Sequence, residues 1–191
     1  MAARRSRQRG GQAVKIVVTG PFAAGKTTLI RTISEITVLS TERGITDDTR
    51  SRKAETTVAM DFGRITIDRD LVLYLFGTPG QERFDFMWEI LGEGMLGYVV
   101  LVDATRPDSL VEARGILDAF RRMARVPFVV GLNRGSGSDE AHEAQVRDHL
   151  ALAQHVPVVP CDATDKESVK ALLLALLYSV LDEIEAEPAP V

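Results

Sequence analysis

The residues most ready for chemistry lie near the start of the chain. Gly20-Pro21-Phe22-Ala23-Ala24-Gly25-Lys26-Thr27 has the spacing Gly, four residues, Gly-Lys-Thr, the pattern of a loop that wraps a phosphate chain. Small residues at Gly20, Ala23, Ala24 and Gly25 let successive backbone N–H groups close around phosphate oxygens. Lys26 places a charge on the β and γ phosphates, and the Thr27 hydroxyl can ligate Mg2+. Phe22 and Thr28 complete the expected binding set. A helix opening at Lys26 would direct its positive dipole end at the same anions. Other reactive side chains read as bland. His142, His149 and His155 have no cysteine or carboxylate beside them at metal-ligand spacing, so no zinc site is expected. Cys161, the single cysteine, excludes an internal disulfide and is expected as a small buried residue at a strand end, not a reactive thiol.

A phosphate loop of this kind needs a strand before it and a helix after it, and the hydrophobic pattern supplies both. Strands are predicted over 14–19, 58–67, 71–76, 98–102, 126–132 and 156–160, and helices over 26–36, 84–95, from 109, over 139–154 and from 164. The short Asp68-Arg69-Asp70 connection joins two strands into an antiparallel hairpin. Ser109 to Glu112 and Thr164 to Glu167 read as capping boxes that open helices. The last helix carries Val169, Leu172, Leu173, Leu176, Val180 and Ile184 on one face. Residues 37–57 are polar without a clear period and read as a long loop. Strand and helix alternate, which predicts an α/β fold: a mostly parallel sheet of six strands with one antiparallel, covered on both faces by five helices.

The 191 residues are 45% hydrophobic and 26% charged, the make-up of one globular domain with tails. Residues 1–12 carry Arg4, Arg5, Arg7 and Arg9 and no acid, and read as a disordered basic arm. The domain is expected over 13–184, with a fraying tail over 185–191. No apolar run approaches the roughly 20 residues of a membrane span. The arm has no apolar segment of a secretory signal, and neither an N-terminal glycine nor a C-terminal cysteine offers a lipid anchor. No stable membrane anchor is therefore expected. The net charge is −4 despite the arginines of the arm, and an acidic body argues against nucleic acid as a partner.

A second motif, Gly77-Thr78-Pro79-Gly80-Gln81-Glu82-Arg83-Phe84, ends the hairpin. With the phosphate loop it resembles the Ras superfamily of small GTPases, where this loop usually reads Asp-Thr-Ala-Gly-Gln-Glu. The resemblance covers about 14–184. It is strongest to prokaryotic Ras-like proteins whose switch I runs into Thr-Thr-Val-Ala-Met-Asp-Phe-Gly, here 56–63, and whose switch II reads Gly-Thr-Pro-Gly-Gln-Glu, here 77–82. It implies a P-loop NTPase with the small-GTPase fold that binds GTP and GDP with Mg2+ and hydrolyses GTP slowly. Thr57, or its neighbour Thr56, would meet Mg2+ and the γ-phosphate. The Gly80 amide would contact the γ-phosphate, and Gln81 would orient the attacking water. Asn133 and Arg134 stand where the guanine motif has Asn-Lys, and the Ala163 amide would reach the guanine O6. The resemblance also implies a roadblock-type regulator, or another GTPase-activating or effector protein, in a prokaryotic cytoplasm; it leaves the oligomeric state open.

The departures from the pattern carry expectations of their own. Gly77 replaces the aspartate that holds a magnesium-bound water, with Thr78 as the weaker substitute. This predicts weak Mg2+ with GDP and a Gly77→Asp variant that tightens it. Ser136 replaces the aspartate that reads guanine, with Asp139 further along the same loop, so relaxed base selectivity is expected. Phe22 stands at a position usually glycine, where a side chain would crowd an incoming arginine. Phe84, Phe86, Met87 and Trp88 are too many apolar residues for one buried face, and part of the cluster is expected as a partner surface. A nucleotide-dependent binding module with little hydrolysis is the alternative reading. A small-acceptor kinase would need an arginine-rich lid, and no such segment is visible.

Overall fold

The computed structural model describes residues 12–40, 60–80, 86–135 and 140–186. Strand β1 (Gln12–Thr19) leads through the phosphate loop into helix α1 (Lys26–Ile33). Next come β2 (Leu39–Ser40), β3 (Asp61–Asp68), β4 (Leu71–Gly77) and α2 (Phe86–Gly92). The second half alternates β5 (Gly97–Asp103), α3 (Pro107–Met123), β6 (Phe128–Asn133), α4 (Glu140–His149), β7 (Val158–Cys161) and α5 (Lys166–Ala186). The strands form one sheet in the order β2-β3-β4-β1-β5-β6-β7. The six strands and five helices expected from the hydrophobic pattern are all present. The two-residue β2 adds a further edge strand inside the segment read as loop. Among the described strands only β3 runs against the rest: it pairs antiparallel with both β2 and β4, and the other pairings are parallel.

The alternation of side chains along each strand divides the core into two layers. Ile16, Val18, Val99 and Leu101 face α1 and α5, packing with Leu29, Ile30, Val169, Leu172 and Leu176. Val17, Tyr98, Val100 and Val102 face the opposite way, against Trp88 of α2, Ile116 and Phe120 of α3, and Val146 of α4. Strand β5 and the second half of β1 are buried on both faces, hence the apolar runs Tyr98 to Val102 and Ile16 to Val18. Because β1 lies between strands reached by opposite excursions of the chain, its carboxyl end opens at a topological switch point, the usual place for a ligand in such sheets.

Several local readings change. Helix α3 begins at Pro107, whose fixed φ suits a first helical position, so Ser109 is inside the helix. Its hydroxyl accepts the Asp103 N–H at 3.0 Å. Helix α5 is capped by Asp165, which accepts the Ser168 N–H at 2.8 Å, while the Thr164 hydroxyl donates to Asp162. The apolar face of α5 ends at Val180; Ile184 is 60% exposed. A helix of 21 residues is about 31 Å long, whereas the six residues of β6 span about 20 Å, so its last turns outrun the sheet. In α2, Trp88 is core and donates its indole N–H to the Pro79 carbonyl at 3.3 Å. Among the described side chains of that helix, the exposed apolar residue is Ile90. No described helix is long and apolar enough to cross a membrane.

Candidate functional site

The carboxyl ends of β1, β4, β5, β6 and β7 converge on the loop between Thr19 and Lys26. The loop turns through positive φ at Gly20 (138°), Ala23 (60°) and Gly25 (105°). Its carbonyls are then taken one after another by side chains. The Lys26 ammonium donates to the Gly20 and Pro21 carbonyls, both at 2.7 Å. Arg106 donates to Phe22 O at 3.0 Å, and Arg134 to Ala23 O at 3.2 Å. Asn133 Nδ2 donates to Ala24 O at 2.8 Å. With five consecutive carbonyls held, the loop is fixed by its oxygens; the Ala24 N–H also turns inward to the Pro21 carbonyl at 3.3 Å, and an anion would be met by the other N–H groups of the loop. Helix α1 starts directly behind, with no acidic residue in its first turn to offset its positive end. Phe22 stands out at 57% exposure, and Thr28 is also exposed.

The neighbouring loops lock onto this frame. Asn133 uses both ends of its amide, because its Oδ1 accepts the Ala163 N–H at 3.1 Å. The Ala163 amide, expected to face a base oxygen, is engaged by Asn133 here. Arg134 has φ 63° and turns its guanidinium back onto Ala23 and onto Asp103 Oδ2 at 2.5 Å. Asp103 is 1% exposed. Burial alone would push its carboxyl up, but the Thr105 hydroxyl and N–H and the Arg134 guanidinium outweigh that and hold it below the usual carboxylate range. Gly80 lies tightly on the loop: a Cβ there would sit 2.6 Å from the Phe22 nitrogen and 2.7 Å from Lys26 Nζ.

Two expectations about the metal side are revised. Thr78 is 3% exposed and donates its hydroxyl to Thr19 Oγ1 at 2.9 Å, so it does not stand in for a missing carboxylate. The space beside Gly77 is not empty. A Cβ there would lie 2.9 Å from Ile30 Cδ1 and 3.0 Å from Asp61 Cβ, so an added aspartate does not simply fit. Asp61 itself receives the Thr27 hydroxyl on Oδ2 at 2.5 Å. Cys161 is buried, and burial pushes its thiol up to about 11, which makes it inert. Thr56, Thr57, Gln81, Ser136 and Asp139 lie outside the described residues, as do Phe84 and the arginines of the arm. Among the described residues no His, Cys, Asp and Glu side chains cluster as metal ligands do. A cavity of about 510 Å³ opens at the amino ends of the strands, between Tyr98, Arg121, Phe128 and His155; it shares no residue with the phosphate loop.

Sequence reasoning passed over Asp61, Asp103 and Arg106. Each sits at or next to a strand end that reaches the loop, and that position was the signal available.

The sheet order, the strand–loop–helix at β1 and the loops gathered around it define a P-loop NTPase of the small-GTPase fold. A family model described as conserved hypothetical ATP binding protein matches residues 39–183, and the chain belongs to that family. The matched span begins after the phosphate loop. An uncharacterized protein of Methanocaldococcus jannaschii is 37% identical over 93 residues, 49% of this chain and 53% of that protein. The chain thus spans about half the length of that relative. More distant likeness runs nearly end to end. The Ras-related protein RABD2a of Arabidopsis thaliana is 22% identical over 181 residues, covering 92% of this chain and 83% of that protein. The GTP-binding protein ypt1 of Schizosaccharomyces pombe is 25% identical over 180 residues, covering 89% and 81%.

Proposed function

We propose that this chain binds GTP and GDP at the Gly20–Thr28 loop and hydrolyses GTP slowly, acting as a switch. The observation that carries the reading is the row of five engaged carbonyls from Gly20 to Ala24. A turn that bound nothing would not need two arginines, a lysine and an asparagine from three places in the chain to hold it. The names of the distant relatives support guanine nucleotides.

In this reading residues 13–184 form the nucleotide-binding domain. Lys26 holds the β and γ phosphates, the Gly80 amide meets the γ-phosphate, and Gln81 orients water. Thr27, and Thr57 in the triphosphate state, are the residues that would hold Mg2+, which when bound offsets phosphate charge. The segments 37–57 and 77–88 would order around the γ-phosphate and relax after hydrolysis. A roadblock-type regulator or another GTPase-activating or effector protein in a prokaryotic cytoplasm would read that change.

The test is single-turnover hydrolysis by Gln81→Leu. Because the glutamine positions water and does not hold the nucleotide, GTP affinity should be unchanged. Hydrolysis should slow at least tenfold, which is about 1.4 kcal/mol of barrier. Equal rates would favour the second reading, a nucleotide-dependent binding module with little hydrolysis. That reading draws on Gly77, which has no side chain, together with Ser136, and on a family description that names ATP.

Base selectivity gives a separate prediction. A serine at 136 accepts one hydrogen bond where an aspartate would accept two from guanine. GTP should be preferred over ATP by a modest ratio in competition binding. Ser136→Asp should raise that ratio about tenfold or more, since a site built to hydrogen-bond a polar edge rejects the analogue lacking it. An unchanged ratio would show that another residue, Asp139 first, supplies the acceptor.

A further inference from the structure

We infer that Asp61 is the acidic group of the cation site, delivered from β3 into the space that Gly77 leaves open. The inference rests on the nucleotide-binding reading above and deepens it.

Three observations meet at this residue. The register of the hairpin sets Asp61 directly opposite Gly77. The Asp61 side chain fills the position a longer residue at 77 would take, with its Cβ and Oδ2 at 3.0 and 3.3 Å from a Cβ built there. The carboxylate is 9% exposed; Oδ2 accepts the Thr27 hydroxyl, while Oδ1 is buried with no hydrogen-bond partner. A buried carboxylate oxygen left unpartnered is costly, and it persists where a positive ion or a water held by one completes it.

The hydrogen-bond direction fits a cation. A threonine hydroxyl has one proton and two lone pairs. By taking the proton, Asp61 turns the lone pairs of Thr27 Oγ1 away from itself and leaves them for a hard divalent ion. Its second oxygen is then free to accept from a water on that ion, the role a carboxylate at position 77 would otherwise fill. Asp61 is therefore a positioning residue: it orients the Thr27 ligand and the metal's water and touches no reacting atom. Mg2+ affinity should accordingly be near that of a site with the usual aspartate, in place of the weak binding that Gly77 alone predicts.

The experiment separates this from the reading beneath it. GDP affinity is first measured by calorimetry in EDTA, then Mg2+ is titrated into the GDP-loaded protein. Asp61→Asn keeps the shape and can still accept from Thr27. It should bind GDP in EDTA as wild type does, while Mg2+ affinity falls about 10–100-fold. Moving the carboxylate across the hairpin, Asp61→Gly with Gly77→Asp, should recover most of that loss, because the Asp61 Cβ at 3.0 Å is gone and the remaining contact, Ile30 Cδ1 at 2.9 Å, is the far end of a side chain that can turn aside. Gly77→Asp alone should not tighten Mg2+. Unchanged Mg2+ affinity in Asp61→Asn, with GDP still bound in EDTA, would overturn the inference and leave the phosphate loop assignment standing. Wild-type protein that binds no GDP would remove both. Should Asp61→Asn fail to fold, the two-residue exchange decides: Mg2+ affinity within about threefold of wild type supports the transferred role, and its loss overturns it.

Discussion

Lys26→Ala should raise the dissociation constants for GDP and GTP at least about 100-fold, or roughly 2.7 kcal/mol. Lys26 is 8% exposed, and its ammonium donates to two carbonyls of its own loop. It therefore does two jobs. It offers the only side-chain cation that the sequence motif places on the phosphates, and it holds the Gly20 and Pro21 carbonyls so that the loop keeps its curvature. A charge-assisted bond from the ammonium to a phosphate oxygen is worth about 1.5–3 kcal/mol, so losing that contact accounts for the fall in affinity. Stability should drop too, because the alanine strips the buried Gly20 carbonyl of its lysine partner and leaves the Pro21 carbonyl only the Ala24 N–H at 3.3 Å. A cost of about 1–3 kcal/mol corresponds to a Tm lower by about 2–12 °C in a chain of this size, with the fold retained. The burial of Lys26 makes a measurable thermal shift part of the result. Unchanged GDP affinity by calorimetry would overturn the phosphate-loop assignment.

The strand and helix order was legible because each element has a strong period. β5 runs unbroken and apolar from Tyr98 to Val102, β1 carries Ile16-Val17-Val18, and the stripe from Val169 to Val180 repeats every three or four residues. Caps were less legible. Ser109 and Thr164 both stand three residues before a glutamate, yet Pro107 and Asp165 set the true helix starts. A capping box specifies that a helix begins nearby, and competing hydrogen bonds from Asp103 and Asp162 then decide which residue does the capping.

In the site, the phosphate loop could be read from its residues alone, whereas its supports could not. Arg106 and Arg134 lie 84 and 111 positions along the chain from the carbonyls they hold. Nothing local marks them. Asp61 was hidden for a sharper reason. Asp68 pairs with Leu71 at the hairpin turn, and an unbroken register from that pair would set Asp61 opposite Thr78. A bulge between Thr66 and Asp68 shifts the ladder by one residue and brings Asp61 opposite Gly77. A one-residue slip changes which side chains face each other along the whole strand, and composition does not reveal the bulge. The sequence therefore shows a missing carboxylate at 77 but not the one that fills its place.

Gly20→Ala should be among the most destabilising single substitutions in the chain, by about 3–5 kcal/mol. The residue follows the last β1 residue and has φ 138°, a region open to glycine and strained for other residues. A Cβ there would lie 2.1 Å from the Leu101 carbonyl oxygen on β5. That oxygen belongs to a fully buried strand and has no side-chain freedom with which to retreat. Relief requires β1 and β5 to part at their carboxyl ends, where the phosphate loop begins. Gly94→Ala separates the two contributions. Gly94 also has positive φ, 67°, but a Cβ there meets nothing within 4 Å. Its substitution should cost only the backbone strain, about 1–2 kcal/mol. Denaturant unfolding of both variants measures the difference, and GDP affinity measures its consequence at the site. Gly20→Ala should lose nucleotide binding along with stability, whereas Gly94→Ala should bind as wild type does. Equal unfolding free energies for the two variants would mean that β1 and β5 are not held together at that end as tightly as the Leu101 contact requires.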